Sequence, residues 1–426
     1  MLRLQSRRPG PAGRPAGRPG GLPAPIALGL HWAAIELFDM MSPAPLTNFL
    51  FMILVVLFSA TLYKGLRRNR ELNSSGIHSV HHPSPPRAAP FVCSPSLSRA
   101  QVSSMIIRES ACPGHLWWPV FVSAAFTCRP VMIVNIGANK GYSLASFVDF
   151  FAPEVGVTPL SISPRVLAEV PNDWRDFPCG ACNDCKVGHI PEKWSRECTI
   201  ESGEVVPASH FPLELHGIDP ILGNIAVCNK GVVAMVEEAG IPNVTVKMHH
   251  YAAVGNPNVN SVPFGNCPPG SETCGVEAKE TVGNVKSDFP GRFFDIIEVP
   301  AVTVDTLKER SGIDTTKIDV LAIDTEGMDA EVLDGAMATF RKEAVKIIEF
   351  EYSGLRAWAN RSLESVIEQL SEVGYDCFFA QQTSFIRLTG CWEAEYDHKI
   401  WSNVICVSRS NTELLAVANS FTFLGL

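Results

Sequence analysis

Residues 131–151 read VMIVNIGANKGYSLASFVDFF, and this stretch decides the fold. Val131 to Ile136 is a largely apolar run with no room for a solvated face, the pattern of a strand buried on both sides of a parallel sheet. Gly137-Ala138-Asn139-Lys140-Gly141 follows at once as a glycine turn. Tyr142 to Phe151 then restarts with helical apolar spacing. Strand, glycine loop and helix in immediate succession form a unit in which the loop backbone can approach a ligand closely and the helix start offers free N–H groups.

The same alternation recurs downstream. Leu213 to Asp219 (LELHGID) reads as a second strand, followed by a helix carrying Leu222, Ile225, Val232, Val236 and Ala239 and stopped by Gly240 and Pro242. Val244 to Val254 reads as a third strand and Ile318 to Asp324 (IDVLAID) as a fourth, trailed by a helix with Met328, Val332, Leu333, Ala336, Met337 and Phe340 on one face. Val345 to Tyr352 supplies a fifth strand, Leu363 to Val373 a helix, and Tyr375 to Ala380 and Asn403 to Val407 the last two, with no helix between them. These elements predict an α/β domain over residues 125–410, built on a doubly wound, mostly parallel seven-stranded sheet. Ligands of such sheets bind beyond the carboxyl ends of the strands, at the switch point.

Chemistry-bearing residues fall at those ends. Gly137-x-x-x-Gly141 is not G-x-G-x-x-G, which disfavours the pyrophosphate of a nicotinamide cofactor. Asp219 closes the second strand, where its carboxylate can grip a ribose diol or simply cap the next helix ahead of Pro220. Asp324-Thr325-Glu326-Gly327 sets two carboxylates at the exit of the fourth strand, able to accept a proton or orient a hydroxyl. Glu349 and Glu351 share one side of the fifth strand, so one can enter the cleft, whereas His249-His250 is expected in a surface loop.

Three blocks carry a resemblance. Asn135-Ile136-Gly137-Ala138-Asn139-Lys140-Gly141, Gly217-Ile218-Asp219-Pro220, and Ile318 to Gly327 followed by Glu331-Val332-Leu333-Asp334-Gly335-Ala336 resemble the FkbM family of S-adenosylmethionine-dependent methyltransferases, in order and spacing. The resemblance implies a Rossmann-like class I methyltransferase fold, to which a closing pair of adjacent strands is suited. It further implies S-adenosyl-L-methionine held by Asn135, Gly137, Ala138, Asn139, Gly141, Asp219 and Asp324, with Asp324 and Glu326 catalytic beside the transferred methyl. Acceptors in the family are hydroxyl groups, so a hydroxylated glycan or small molecule is the expected partner. Two positions depart from the family pattern: Asn135 stands where an acidic residue is common, and Ala322 where a Lys is. Both suit an alternative reading, a methyltransferase-fold scaffold without turnover.

Outside the sheet, the chain spends residues 152–211 on a connection that needs only a few. Cys179, Cys182, Cys185 and Cys198, among thirteen cysteines, have spacing compatible with a structural zinc site or with disulfides. A second loop insertion spans 255–300 and includes Cys267 and Cys274. Residues 411–426 read as a C-terminal tail.

Upstream, residues 1–45 open with a leader rich in Pro, Gly and Arg that cannot form a core, read as disordered. Residues 46–63 (LTNFLFMILVVLFSATLY) are uncharged and long enough for a single-pass transmembrane helix. Residues 64–124 read as stem and linker. Lys64, Arg67, Arg68 and Arg70 beside the span favour a cytosolic domain by the positive-inside rule. A Ser/Pro-rich stem and N-x-S/T triplets at Asn73, Asn243 and Asn360 permit the opposite, a Golgi or secretory-pathway enzyme with a lumenal domain. Charge narrows the partners further: residues 1–70 hold nine basic and two acidic residues, leaving 26 basic against 42 acidic in the other 356. A body that acidic repels a phosphate backbone, so nucleic acid is excluded as the main partner.

Overall fold

A computed structural model describes residues 93, 101, 114–126, 128–170, 197–199, 204–270, 295–381 and 384–422. All belong to one compact unit, Ala89–Leu426. The expected leader and transmembrane span lie outside the described residues, among which no helix is long and apolar enough to cross a membrane.

Among the described residues the main sheet has eight strands: β1 Val131–Ile136, β2 Leu213–Asp219, β3 Val244–His250, β4 Val320–Ile323, β5 Ile347–Tyr352, β6 Tyr375–Ala380, β7 Phe385–Arg387 and β8 Ser402–Ser408. They lie in the order β7-β6-β8-β5-β4-β1-β2-β3. β3, β2, β1, β4 and β5 run parallel, and β8 pairs antiparallel with both β5 and β6. The expected seven strands are thus present, and the expected count is corrected by one. Three residues, Phe385–Arg387, fold back antiparallel onto the edge of β6. So short a strand shows too little alternation to be read from sequence.

Successive side chains of each strand point to opposite faces, and each face carries its own core. On one, Val131, Ile133, Leu213, Leu215, Val320 and Ile347 meet helices α1 (Gly114–Ala125), α2 (Tyr142–Phe151) and α3 (Pro159–Glu169). On the other, Val134, Ile136, Leu321, Ile323, Ile348 and Phe350 meet Val332 and Leu333 of α6 and Val366, Ile367 and Leu370 of α7. Those two helices span Asp329–Asp334 and Leu363–Glu372; between α3 and α6 lie α4 (Leu222–Cys228) and α5 (Ala234–Ala239). Each fully buried Leu, Ile or Phe contributes about 1.5–3 kcal/mol.

Two domain limits move outward from their expected places. α1 falls inside the expected stem, yet Trp117, Trp118 and Phe121 are fully buried, with Trp118 packed edge-on against Phe147. Likewise α8 (Thr412–Ser420) occupies the expected tail and buries Leu414 and Ala418 in the same core. In both cases an apolar stripe needs a partner, and the sheet face provides it.

The zinc reading is corrected at Cys198. It is fully buried and forms a disulfide with Cys128, just before β1, so it has no thiolate left for a metal. Cys179, Cys182 and Cys185 lie outside the described residues, and no group of three metal-ligating side chains occurs within them. Two further disulfides join Cys93 to Cys391 and Cys377 to Cys406, the latter directly across the β6–β8 pair.

Candidate functional site

β1 marks the switch point, since the chain leaves it toward β2 on one side and β4 lies on the other. Ile136 is in register with Ile218 and with Ile323, which is in register with Phe350. One step further along the chain are Asp219, Gly137, Asp324 and Glu351, a row across four neighbouring strand ends. A cleft opens over the first three of these, lined by Gly137, Asn139, Asp219, Asp324 and Glu326 among others.

The glycine loop is built into the sheet before it meets any ligand. Gly137 N and Ala138 N both donate to Ile218 O, at 2.9 and 3.2 Å. Gly137 has φ +84°, and a Cβ there would lie 1.7 Å from the carbonyl oxygen of Asp324. Only a residue without a side chain lets β1 and β4 end this close together. Asn139 also has a positive φ, +45°, a conformation Asn tolerates. Its backbone N–H donates to Asp219 Oδ2 at 2.8 Å, and its side-chain Oδ1 is buried without a partner among the described residues.

Asp219 serves both roles weighed for it. Oδ1 accepts from Ile221 N at 2.8 Å and from Asn224 Nδ2 at 3.1 Å, closing the turn into α4, while Oδ2 secures the glycine loop. These three bonds leave acceptor capacity on Oδ2 toward the cleft. Burial raises the Asp219 pKa to about 7, with the nearby Asp324 charge adding to it and the three hydrogen bonds opposing it. Asn224 carries the contact outward: its Oδ1 accepts from Gly270 N at 2.8 Å, and Lys140 Nζ donates to Gly270 O at 3.0 Å. The second insertion is thereby tied to the loop. Its strand Ile296–Val302 pairs with Ser261–Gly265 on one side and with Ala252–Ala253 on the other, and Phe264, Tyr251 and Ala252 line the cleft as an apolar wall.

Opposite stands the Asp324 turn. Asp324 N donates to Ile136 O at 2.9 Å, continuing the sheet ladder. Glu326 is held at φ +54°, a strained setting for a non-glycine residue, and its carbonyl accepts from Arg356 Nη1 at 2.8 Å. Asp329, fully buried at the start of α6, organises the turn: it accepts from Thr325 Oγ1 at 3.0 Å, Gly327 N at 3.3 Å and Glu351 N at 3.2 Å. Burial, then the Asp324 charge, raises its pKa to about 7. Burial, then the charges of Asp324, Asp329 and Glu326, pushes the Glu351 pKa up to about 10. Glu351 therefore keeps its proton at neutral pH, and a protonated carboxyl is able to donate to a neighbouring carboxylate.

Three expected site residues lie elsewhere. Asn135 is buried one row below the cleft, where its Oδ1 accepts from Ser143 Oγ at 2.7 Å and anchors the start of α2. Ala138 is buried in the core. Gly141 faces α4, with Cys228 Sγ and Val232 Cγ1 each 3.1 Å from where its Cβ would be. His249 and His250 belong to β3 and bond to His216 and the Pro220 carbonyl rather than lining the cleft. Asp329 and the apolar wall were missed; a carboxylate two residues beyond Gly327, at a helix start, was the available signal for the first.

Residues 224–377 match the family model described as the methyltransferase FkbM domain. Over that stretch the chain is similar to the FkbM methyltransferases, a family that implies S-adenosylmethionine-dependent methyl transfer. The matched stretch includes Asp324, Glu326, Asp329 and Glu351 but begins after the glycine loop and Asp219. A search of curated proteins gave no match.

Proposed function

We propose that the protein transfers a methyl group from S-adenosyl-L-methionine to a hydroxyl on a glycan or small-molecule acceptor, as a membrane-anchored enzyme of the secretory pathway. The observation that carries this reading is the pair Asp219 and Asp324, set on either side of Gly137 at the switch point and facing one cleft. Buried and unpartnered, Asn139 Oδ1 is an acceptor awaiting a donor, as an ammonium or amide group would supply. The remaining acceptor capacity of Asp219 suits a ribose hydroxyl, and the wall of Phe264, Tyr251 and Ala252 suits a flat base. When bound, the cofactor supplies a sulfonium methyl open to in-line displacement. Asp324 then orients the acceptor hydroxyl and receives its proton on a carboxylate oxygen, with the protonated Glu351 as a donor on the same side of the sheet. Glu326, on the same turn, borders the acceptor side. The disulfides Cys93–Cys391, Cys128–Cys198 and Cys377–Cys406 support an oxidising compartment.

Incubating the full chain with the cofactor and a panel of hydroxylated acceptors tests this. Formation of S-adenosylhomocysteine that depends on acceptor is expected, and its absence across an acceptor panel despite cofactor binding would contradict the O-methyl assignment.

A further inference from the structure

Of the three N-x-S/T triplets, Asn73-Ser74-Ser75 lies outside the described residues, and the other two occupy opposite settings. Asn243 is built into the fold: its Nδ2, the atom a glycan would take, donates to His210 O at 2.8 Å, and its carbonyl accepts from Leu213 N at 2.8 Å as β3 begins. Asn360 is exposed, at the turn between the short helix Arg356–Ala359 and α7, and its carboxamide has no hydrogen-bond partner among the described residues. Residues on either side of it are held firmly. Lys399 Nζ donates to the carbonyls of Trp358 and Arg361, and the Arg361 guanidinium bonds Asp334 and Gln369. Asn360 is thus presented outward from a fixed turn, with Ser362 two residues on.

The disulfides add an independent observation. Cys377 and Cys406 are fully buried between β6 and β8, so their bond belongs to the folded core and forms where thiols are oxidised during folding. In eukaryotic cells that setting is also where N-linked glycans are transferred to such triplets.

We propose that Asn360 carries an N-linked glycan and that Asn243 does not. In the reaction Asn360 Nδ2 attacks the anomeric carbon of a lipid-diphosphate-linked oligosaccharide. A C–N bond forms, the C–O bond to the diphosphate breaks, Nδ2 gives up one proton, and the lipid diphosphate leaves. The modification places the methyltransferase domain on the lumenal side, against the orientation favoured by Lys64, Arg67, Arg68 and Arg70. It sits on the outer side of a turn whose inner side supports Glu326 and Gly327, since Arg356 Nη1 and Ala357 N donate to their carbonyls.

The test is expression of the full chain in animal cells and digestion with peptide-N-glycosidase F in heavy-oxygen water. Mass spectrometry should find Asn360 converted to labelled Asp and Asn243 unchanged, and N360Q and S362A should each lose one glycan's mass in gel mobility. An unmodified Asn360 in the secured protein, or an N360Q variant that migrates like wild type before digestion, overturns the proposal. The cofactor reading stands apart from it: N360Q should bind S-adenosylmethionine as wild type does.

Discussion

Asp219 ends β2 and Asp324 directly follows β4, two strands that never touch; between them stands Gly137, the residue after β1, where a Cβ would lie 1.7 Å from the Asp324 carbonyl oxygen. The gap between the two carboxylates is therefore set by the width of a single glycine strand end, about 4.8 Å per strand spacing on each side.

Gly137 and Gly141 should behave differently although both have positive φ. A Gly137→Ala substitution drives a methyl into the Asp324 carbonyl and parts β1 from β4, so the protein should lose its cooperative unfolding transition or most of its soluble yield. Gly141→Ala meets only the Cys228 and Val232 side chains and the cost of a positive φ, about 1–2 kcal/mol. Thermal unfolding of the second variant should show a modest drop in Tm with cofactor affinity retained, because Gly141 faces α4 rather than the cleft.

Asp219→Asn keeps the acceptor on one oxygen and replaces the other by an NH2 group that cannot accept. One of the bonds from Asn139 N or Ile221 N must be lost, at a cost of about 1–3 kcal/mol. Calorimetry should show cofactor affinity reduced about tenfold or more. Equal affinity in a folded variant would remove Asp219 from the cofactor site.

Glu351 provides a pH signature. Its folded pKa, about 10, lies above the unfolded value, so between roughly pH 4.5 and that value the folded state holds a proton that the unfolded state has released. Stability from this group is present at low pH and declines as pH rises through the window. Glu351→Gln keeps the hydrogen-bond donor and removes the titration; Tm measured from pH 5 to 9 without cofactor should fall less steeply in the variant. Parallel slopes would show that Glu351 is not the protonated partner of Asp324.

Breaking the Cys377–Cys406 bond by paired Ala substitution releases a cross-link between residues 29 apart in sequence. Chain entropy sets the loss at about 2–4 kcal/mol, read as a lower denaturant midpoint. The strand pairing itself should survive, so the sheet spectrum should not change.

How far the sequence carried this account depends on the range of each interaction. β1, its glycine loop and α2 were legible because they are contiguous and each has its own period; β2 and β6 were found to the residue. β7 escaped because three residues carry no period. α1 and α8 escaped for another reason: their apolar stripes were discounted as linker and tail, and only the sheet face explains them. Cys198 shows the limit most clearly. Its nearest cysteines suggested a local cluster, while its partner is 70 residues away in sequence. Within the site, the strand-end carboxylates could be read from position alone, but the placement of Asp324 and Glu351 on neighbouring strands depends on strand order, which spacing does not encode.

The most direct test of the central claim is calorimetric titration of the solubilised full chain with S-adenosylmethionine, S-adenosylhomocysteine and, as a control, NAD. The account predicts one site of about micromolar affinity for the first two, abolished or strongly weakened in Asp219→Asn, and no binding of NAD. A folded protein that binds neither sulfur compound would contradict the account and leave a methyltransferase-fold scaffold as its successor.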